Sequence, residues 1–282
     1  MSTKHLASIW SNFGPDTDGK SRDAWADLMI ANVCGQNGYL PDGQHEAINP
    51  WKSARKIKPR QTQYVAWNSQ LMPTNPAIGY MGYAYNPIPF DHPRIPEWIL
   101  RGSPYMDPGA PGYAEAWATN AVKLARKWEK LSGNHWSGIF ADSICYGFWF
   151  PNIAKHYGTI ANYRGAQERF CAVVGSYLHK RGFKFGANVG VGSPGYAAWP
   201  AIFENLDLAF MEHVYPDLTL DAAILDRTRK YALAVHADSR LSSGEYRDAE
   251  IDVLAKQLGK LLGSNDYVTF GTSDAGRIAG VR

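Results

Sequence analysis

Short apolar runs alternate with segments of helical period along this chain, and the alternation limits the folds available to it. We predict eight strands, at residues 5–10, 27–33, 63–67, 138–142, 184–189, 208–214, 231–237 and 267–272. Such runs are typical of parallel strands that are covered on both faces. Eight strands joined by helices through right-handed crossovers close most naturally into a barrel.

Three of the intervening segments carry a clear helical face. The first face consists of Trp117, Ala121, Leu124, Trp128 and Leu131, the second of Phe170, Val174, Tyr177 and Leu178, and the third of Ile251, Leu254, Leu258 and Leu261. Further helices are predicted at 21–25, 45–57, 194–203 and 220–229. Gly182 follows the second face, at a position where a helix often needs a left-handed residue to end.

The length of the chain favours one domain. Its 282 residues are close to the size of a typical α/β barrel, which is about 250 residues. The competing architecture is a doubly wound open sheet, but that sheet would be large, and no G-x-G-x-x-G follows the first strand. We therefore predict an α/β fold consisting of a single (β/α)8 TIM barrel over residues 1–282.

Charge and cysteine content argue against several partners. A net charge of +3 gives no reason to expect nucleic acid or an anionic membrane, and the basic stretch 52–60 is interpreted as a solvated helix end. No apolar run could span a bilayer, and the first residues lack the apolar core of a signal peptide. Cys34, Cys145 and Cys171 are expected to be buried free thiols, which favours a reducing compartment. We expect a cytoplasmic protein, or, if the source is viral, one that is virion-associated or released without a signal peptide.

Two predicted strands share one pattern. The fourth reads GIFAD and ends at Asp142, and the sixth contains LAFME, which ends at Glu212. In each strand a phenylalanine two residues earlier lies on the same side of the pleat. A lone carboxylate at a strand end is more often a loop anchor or a cap, but glycoside hydrolysis requires two carboxyl groups on either side of the scissile bond. The pair on alternate strands therefore predicts a catalytic site.

Other polar residues are expected near the same mouth. Asn32, Asn68, Asn188, His236 and Asp238 lie at or just after predicted strand ends and are suited to sugar hydroxyls. Asp207, which precedes the sixth strand, is predicted to cap the opposite end of the barrel. The histidines are interpreted as structural groups rather than metal ligands, and no metal or organic cofactor is predicted.

The connection over 68–111 interrupts the regular alternation. It is rich in proline and aromatic residues, and loops of that length inside compact domains are usually functional. We expect it to form a stiff wall at the carboxyl face of the barrel, where barrel active sites lie. The predicted ligand contacts are Tyr83, Tyr85, Trp98, Arg101, Tyr105 and Asp107, together with Trp149 after the fourth strand.

Several segments resemble a known family. They are ADLMIAN (26–32), EWILRG (97–102), MDPGAPGYAEAW (106–117), GIFADS (138–143) and LAFME (208–212). Together they resemble the glycoside hydrolase TIM barrels related to the endo-α-1,4-polygalactosaminidases. The resemblance implies a retained barrel with Asp142 and Glu212 as its catalytic pair. The placement on strands four and six is also similar to that of α-galactosidase-type barrels, which implies an aspartate nucleophile and a sixth-strand acid/base.

The sequence thus predicts an enzyme that cleaves O-glycosidic bonds in a polysaccharide or glycoconjugate, such as a microbial cell-wall or capsular glycan. Asp142 would be the nucleophile, or the base of an inverting reaction, and Glu212 the general acid. Two alternatives remain open: a carbohydrate-binding barrel without catalysis, and a barrel lyase or isomerase that acts on a small molecule. The identity of the glycan, the stereochemical outcome and the oligomeric state stay open.

Overall fold

The computed structural model describes residues 5–11, 28–32, 62–68, 92–100, 105–132, 135–142, 144, 151–191, 200–214, 230–237 and 266–270. The strands are β1 (His5–Ser11), β2 (Leu28–Asn32), β3 (Thr62–Asn68), β4 (Gly138–Asp142), β5 (Lys184–Val191), β6 (Leu208–Val214), β7 (Ala232–Ala237) and β8 (Tyr267–Phe270). The helices within these ranges are α1 (Ile95–Trp98), α2 (Tyr113–Ser132), α3 (Pro151–Tyr157), α4 (Ile160–His179) and α5 (Pro200–Phe203).

The eight strands pair in chain order, every pair is parallel, and β1 pairs with β8 to close the barrel. The predicted α/β class with parallel strands is therefore confirmed. Two of the three helical faces identified in the sequence lie on observed helices, α2 and α4, and the third belongs to the segment 251–261. The helices predicted at 21–25, 45–57, 220–229 and 251–261 lie outside the described residues, and of the segment 194–203 the structure describes α5 alone.

Side chains alternate between two layers along the strands. Ile139 and Ala141 of β4 and Phe185 and Ala187 of β5 belong to the apolar core that also contains the buried faces of α2 and α4. Trp117 of α2 contributes a fully buried indole to the same core. Because successive residues of a strand point to opposite faces, the residues between these positions face the barrel interior.

Phe140 and Phe210 lie in that interior. Both are fully buried, and their ring centroids are 6.1 Å apart although β5 separates their strands. Gly186 of β5 pairs in register with Phe140 on one side and Leu208 on the other. Because glycine has no side chain there, the interior between β4 and β6 is open to the two rings.

Sequence signals set the ends of α4. The Thr159 hydroxyl accepts a hydrogen bond from the backbone N–H of Asn162 at 3.2 Å, which satisfies one of the unpaired donors at the start of the helix. At the other end, Gly182 has a φ of 79°, and the N–H of Phe183 donates to the carbonyl of Leu178 at 3.1 Å. This is the glycine-terminated helix end predicted from the sequence.

Two aspartates tie the amino ends of neighbouring strands together. Asp207, just before β6, accepts a hydrogen bond from the backbone N–H of Phe185 at 2.8 Å. Asp266, just before β8, accepts one from the backbone N–H of Leu233 at 2.9 Å. Each acceptor serves the second residue of the preceding strand, β5 or β7. The predicted cap at Asp207 is confirmed, and Asp266 repeats it.

Two further expectations concern cysteine and membrane segments. Cys171 is a buried free cysteine, as predicted, whereas Cys34 and Cys145 lie outside the described residues. Of the helices in the described ranges, none combines the length and the apolar character that crossing a bilayer requires.

Candidate active site

The carboxyl ends of the eight parallel strands meet at one mouth of the barrel, and most of the predicted polar residues lie there. Asn32 ends β2, Asn68 ends β3 and Asp142 ends β4. Glu212 lies two residues before the end of β6, and His236 is the penultimate residue of β7. The structure therefore brings the backbone positions of both predicted catalytic residues to the same end of the fold.

Asp142 is the best-defined member of this group. Its backbone pairs in register with that of Asn68, and its side chain is partly exposed. Its Oδ1 accepts a hydrogen bond from Nδ2 of Asn188 at 2.9 Å. Asn188 itself is only 1% exposed. The structure thus joins two residues that the sequence placed separately, one as a catalyst and the other as a contact for sugar hydroxyls.

For Glu212 the structure describes the backbone. It pairs in register with Val191, and the register shifts both between Asn188 and Val191 and, on the other side of β6, between Met211 and Val214. The side chains of Glu212, Asn32, Asn68 and His236 lie outside the described part of the structure.

Two aromatic rings lie in the barrel interior below Asp142. Phe140 and Phe210 each precede a predicted catalytic residue by two positions on the same strand, and their rings are in contact range. A carboxyl group at the end of β4 therefore has an aromatic layer beneath it in the barrel interior.

The structure corrects the predicted role of Trp98 as a ligand contact. It is 1% exposed, its indole N–H donates to the carbonyl of Pro111 at 3.2 Å, and its ring lies against Tyr113 of α2. His92 stacks on the ring with a centroid distance of 4.6 Å. Because this packing covers the indole, Trp98 offers no surface on which a sugar could stack, and we assign it to the core.

Asp107 is a second correction. Its Oδ1 accepts hydrogen bonds from the Tyr157 hydroxyl and, at 2.8 Å, from the backbone N–H of Gly109. Its Oδ2 lies 3.2 Å from Nε2 of His156. Since both oxygens have protein partners, we assign Asp107 to a clamp between the segment before α2 and the end of α3, rather than to ligand binding. We call Asp107, Gly109, His156 and Tyr157 the Asp107 clamp.

The clamp changes the ionisation of the neighbouring tyrosines. Burial, together with the hydrogen bond to Asp107 and the negative charge of Asp107, raises the pKa of the Tyr157 hydroxyl far above its ordinary value. Burial, with a smaller contribution from the same charge, raises the pKa of Tyr113 in the same direction. Both hydroxyls therefore stay protonated at any physiological pH.

Of the remaining predicted contacts in the long connection, the structure describes Tyr105. Tyr105 is partly buried, and its carbonyl accepts a hydrogen bond from the N–H of Leu100 at 2.9 Å, beside the bridge between Ile99 and Met106. Tyr83, Tyr85, Arg101, Trp149 and Asp238 lie outside the described residues. Among the side chains that the structure describes, no group of three His, Cys, Asp or Glu residues could hold a metal ion.

Sequence reasoning did not predict the contact between Asp142 and Asn188, although the sequence contains a signal for it. Gly138 pairs in register with Lys184, and these two residues open β4 and β5. Asp142 and Asn188 are each the fifth residue of their strand. Aligning the two predicted strands from their first residues would have set the carboxylate opposite the amide.

Comparisons with solved structures show the class of fold. Three similar structures are Aspergillus fumigatus Ega3 in complex with galactosamine, a chitinase from Chromobacterium violaceum and an endo-β-1,4-mannanase from Thermotoga petrophila. The Ega3 match has a TM-score of 0.52 at 8% identity and covers 97% of this chain and 92% of that one. For the chitinase the TM-score is 0.50 at 13% identity, covering 98% of each chain. For the mannanase it is 0.57 at 8% identity, covering 96% of this chain and 68% of that one.

The chain therefore resembles glycoside hydrolase barrels in its fold, as expected from the sequence. No protein-family model matches the sequence, and no curated protein does. At these identities the likeness concerns the fold, so the chemistry has to be argued from the residues at the mouth.

Proposed function

We propose that this protein is a (β/α)8-barrel glycoside hydrolase that cleaves O-glycosidic bonds in a polysaccharide or glycoconjugate, with Asp142 and Glu212 as its catalytic pair. The observation that carries the proposal is the position of Asp142. It ends β4 at the mouth of the barrel, its carboxylate is held by Asn188, and it stands two residues beyond Phe140, whose ring meets that of Phe210.

The phenylalanine pair supports Glu212 as the second carboxylate. Phe140 and Phe210 come together across β5, and each strand continues from its phenylalanine to a carboxylate two residues later. Because residues two apart in a regular strand share a face, we propose that Glu212 follows Phe210 on the interior side of β6 as Asp142 follows Phe140 on β4. The two carboxyl groups would then form the next layer above the rings.

The proposed chemistry gives the two carboxyl groups different roles. In a retaining reaction, Glu212 protonates the leaving oxygen while the Asp142 carboxylate attacks the anomeric carbon and forms a glycosyl ester. Glu212 then removes a proton from water, which displaces Asp142 from the sugar. In an inverting reaction, Asp142 would instead deprotonate the attacking water, and a separation of about 6.5–9.5 Å between the carboxyl groups would distinguish this case from the roughly 5 Å of a retaining enzyme.

Asn32, Asn68, His236 and Asp238 are proposed to bind hydroxyls of the glycan, since their positions follow β2, β3 and β7 to the same mouth. The aromatic walls are proposed at Tyr83, Tyr85, Tyr105 and Trp149, with Arg101 as a polar contact. Rings of this kind cover the apolar faces of sugars while the polar residues pair with the hydroxyls.

The test is a release assay on a panel of glycans. Microbial cell-wall and capsular glycans are assayed for new reducing ends, together with chitin, mannan and galactosamine-containing polymers, which the neighbours suggest. Asp142→Asn and Glu212→Gln should each lower kcat by roughly 10²–10⁴-fold while glycan binding, measured by calorimetry, is retained. The matched control is Glu115→Gln, an exposed carboxylate on α2 that should leave turnover unchanged.

The possible outcomes separate the functions. Turnover that survives in both active-site variants contradicts the assigned pair. Glycan binding without any release by the wild-type protein favours a carbohydrate-binding barrel. Turnover of small molecules alone would favour a lyase or an isomerase.

A further inference from the structure

Asn188 is buried beneath the mouth of the barrel, yet it is a polar residue with a polar partner. Its side chain lies on β5, between the strands of the two proposed catalytic residues. At 1% exposure it has no surface to offer a sugar hydroxyl, so the role predicted from the sequence does not fit its position. What it does contact is the proposed nucleophile, through the 2.9 Å hydrogen bond from Nδ2 to Oδ1 of Asp142.

We propose that Asn188 is a positioning residue that holds the Asp142 carboxylate in its ionised form and in one orientation. This inference rests on the proposed function, because it concerns the same site. It also supports the role proposed for Asp142, because a carboxyl group that accepts a buried amide hydrogen bond is suited to act as the nucleophile or base.

The direction of the effect follows from the chemistry of the two groups. An ionised carboxylate can only accept hydrogen bonds, and the amide nitrogen of asparagine can only donate them. A donor held against one oxygen therefore stabilises the charged form of Asp142 relative to the acid. A hydrogen bond to a charged group in a buried setting is also stronger than one between neutral groups.

The position of the bond also fixes the carboxylate in space. Asn188 and Asp142 are the fifth residues of adjacent strands whose first residues are paired, so the rigid sheet sets the distance between their backbones. The hydrogen bond ties Oδ1 to β5 and thereby restrains the rotation of the carboxyl group. A nucleophile must meet the anomeric carbon within a narrow range of distance and angle, which this restraint supplies.

A buried asparagine can also serve packing alone, so the test needs a measurement that packing does not change. We suggest ¹³C NMR titration of the Asp142 carboxyl carbon, assigned by its absence in Asp142→Asn. Glu212 is the other titratable group that the proposal sets beside Asp142, so the titration is repeated in the Glu212→Gln background. Asn188→Ala and Asn188→Leu both remove the donor, and Asn188→Leu also keeps most of the side-chain volume.

The matched control is Val189→Ala. Val189 is the next residue of β5, is 4% exposed and belongs to the core on the helix side of the sheet. The Val189→Ala substitution removes buried volume from the same strand and leaves the hydrogen bond to Asp142 in place. Circular dichroism confirms that each variant is folded, and if Asn188→Ala does not fold, Asn188→Leu answers the question alone.

In Asn188→Ala and in Asn188→Leu, the midpoint of the Asp142 titration should move to higher pH by about one pH unit or more. Val189→Ala should leave it unchanged. The acidic limb of the kcat/KM profile should move with the midpoint, and kcat should fall by about 10-fold or more with little change in KM. An Asp142 midpoint that is the same in wild type and both Asn188 variants overturns the inference, even if the protein proves to be a glycosidase. A shifted midpoint in a protein without glycosidase activity would keep the coupling of Asn188 to Asp142 and overturn the proposed function.

Discussion

Phe140 of β4 and Phe210 of β6 meet inside the barrel with their ring centroids 6.1 Å apart and their planes at 56°. Since β5 lies between their strands, the contact is made across the interior and not along the sheet surface. Interiors of such barrels are filled by layers of side chains from alternate strands, and this pair belongs to one such layer. The pair forms the apolar layer below the proposed active site.

The first prediction concerns the contact between Phe140 and Phe210. Phe140→Ala and Phe210→Ala should each lower the free energy of unfolding by about 3–5 kcal/mol, because each leaves a cavity in a closed interior. Since the rings contact each other, the loss in the double variant should be smaller than the sum of the two single losses. Urea denaturation of the wild type, both single variants and the double variant measures this difference. Strictly additive losses would mean that the rings do not pack as a unit.

The strands could be predicted from the sequence because buried parallel strands consist of short runs of apolar residues. Four apolar residues in a row (Gly138 included), bounded by polar ones, marked strands such as β4 and β6 to within a residue or two of their observed ends. The closing residue of β4, Asp142, could be identified in the same way. In both cases the information is local, since it lies in the run of residues itself.

Trp98 and Asp107 could not be assigned in this way. Both lie in an aromatic and proline-rich connection where exposure depends on what packs against it. Trp98 is covered by Tyr113 and His92, and Asp107 is engaged by residues of α3 about 50 positions further along the chain. No pattern within the connection itself distinguishes a ring that faces a ligand from one that faces the core.

The second prediction concerns the aspartates at the amino ends of the strands. Asp266→Ala leaves the N–H of Leu233 without its acceptor at a site that is only 2% exposed, and should destabilise the protein by about 1–3 kcal/mol. Asp207→Ala should cost less, because its side chain is 36% exposed and water can replace it. Denaturation midpoints compare the two, with Glu204→Ala, an exposed residue near Asp207, as the control. Equal losses at the two aspartates would show that burial does not set the strength of these caps.

The third prediction uses two glycines of one helix, α4. A Cβ at Gly175 would lie 2.8 Å from the carbonyl oxygen of Asn205, which is too close for any real contact, whereas at Gly165 the nearest atom is Nη1 of Arg169 at 3.4 Å. Gly175→Ala should therefore force α4 away from the chain after α5 and destabilise the protein by about 1–3 kcal/mol. Gly165→Ala should stabilise it by roughly 0.5–1 kcal/mol, because alanine is the better helix former. Thermal unfolding of the pair checks both signs, and a stabilised Gly175→Ala would refute the close approach.

The fourth prediction concerns alkaline pH and the Asp107 clamp. In the folded protein, burial and the hydrogen bond to Asp107 raise the pKa of Tyr157 above its ordinary value of about 10. The folded state then holds this proton more tightly than the unfolded chain does. The contribution of Tyr157 is therefore complete below pH 10 and is lost as the pH rises above it. The free energy of unfolding, measured by denaturant titration between pH 7 and 11, should fall beyond pH 10.

Tyr157→Phe identifies the source of this fall. At pH 7 the variant should be less stable by roughly 1–3 kcal/mol, because Asp107 loses a hydrogen bond. Above pH 10 its curve should be shallower than that of the wild type, since one tyrosine with a raised pKa is gone. Tyr113 retains its own raised pKa, so part of the slope should remain until Tyr113→Phe is added. Parallel curves for wild type and Tyr157→Phe above pH 10 would mean that the hydroxyl ionises equally easily in the folded and unfolded states, and would remove the clamp as a cause of alkaline unfolding.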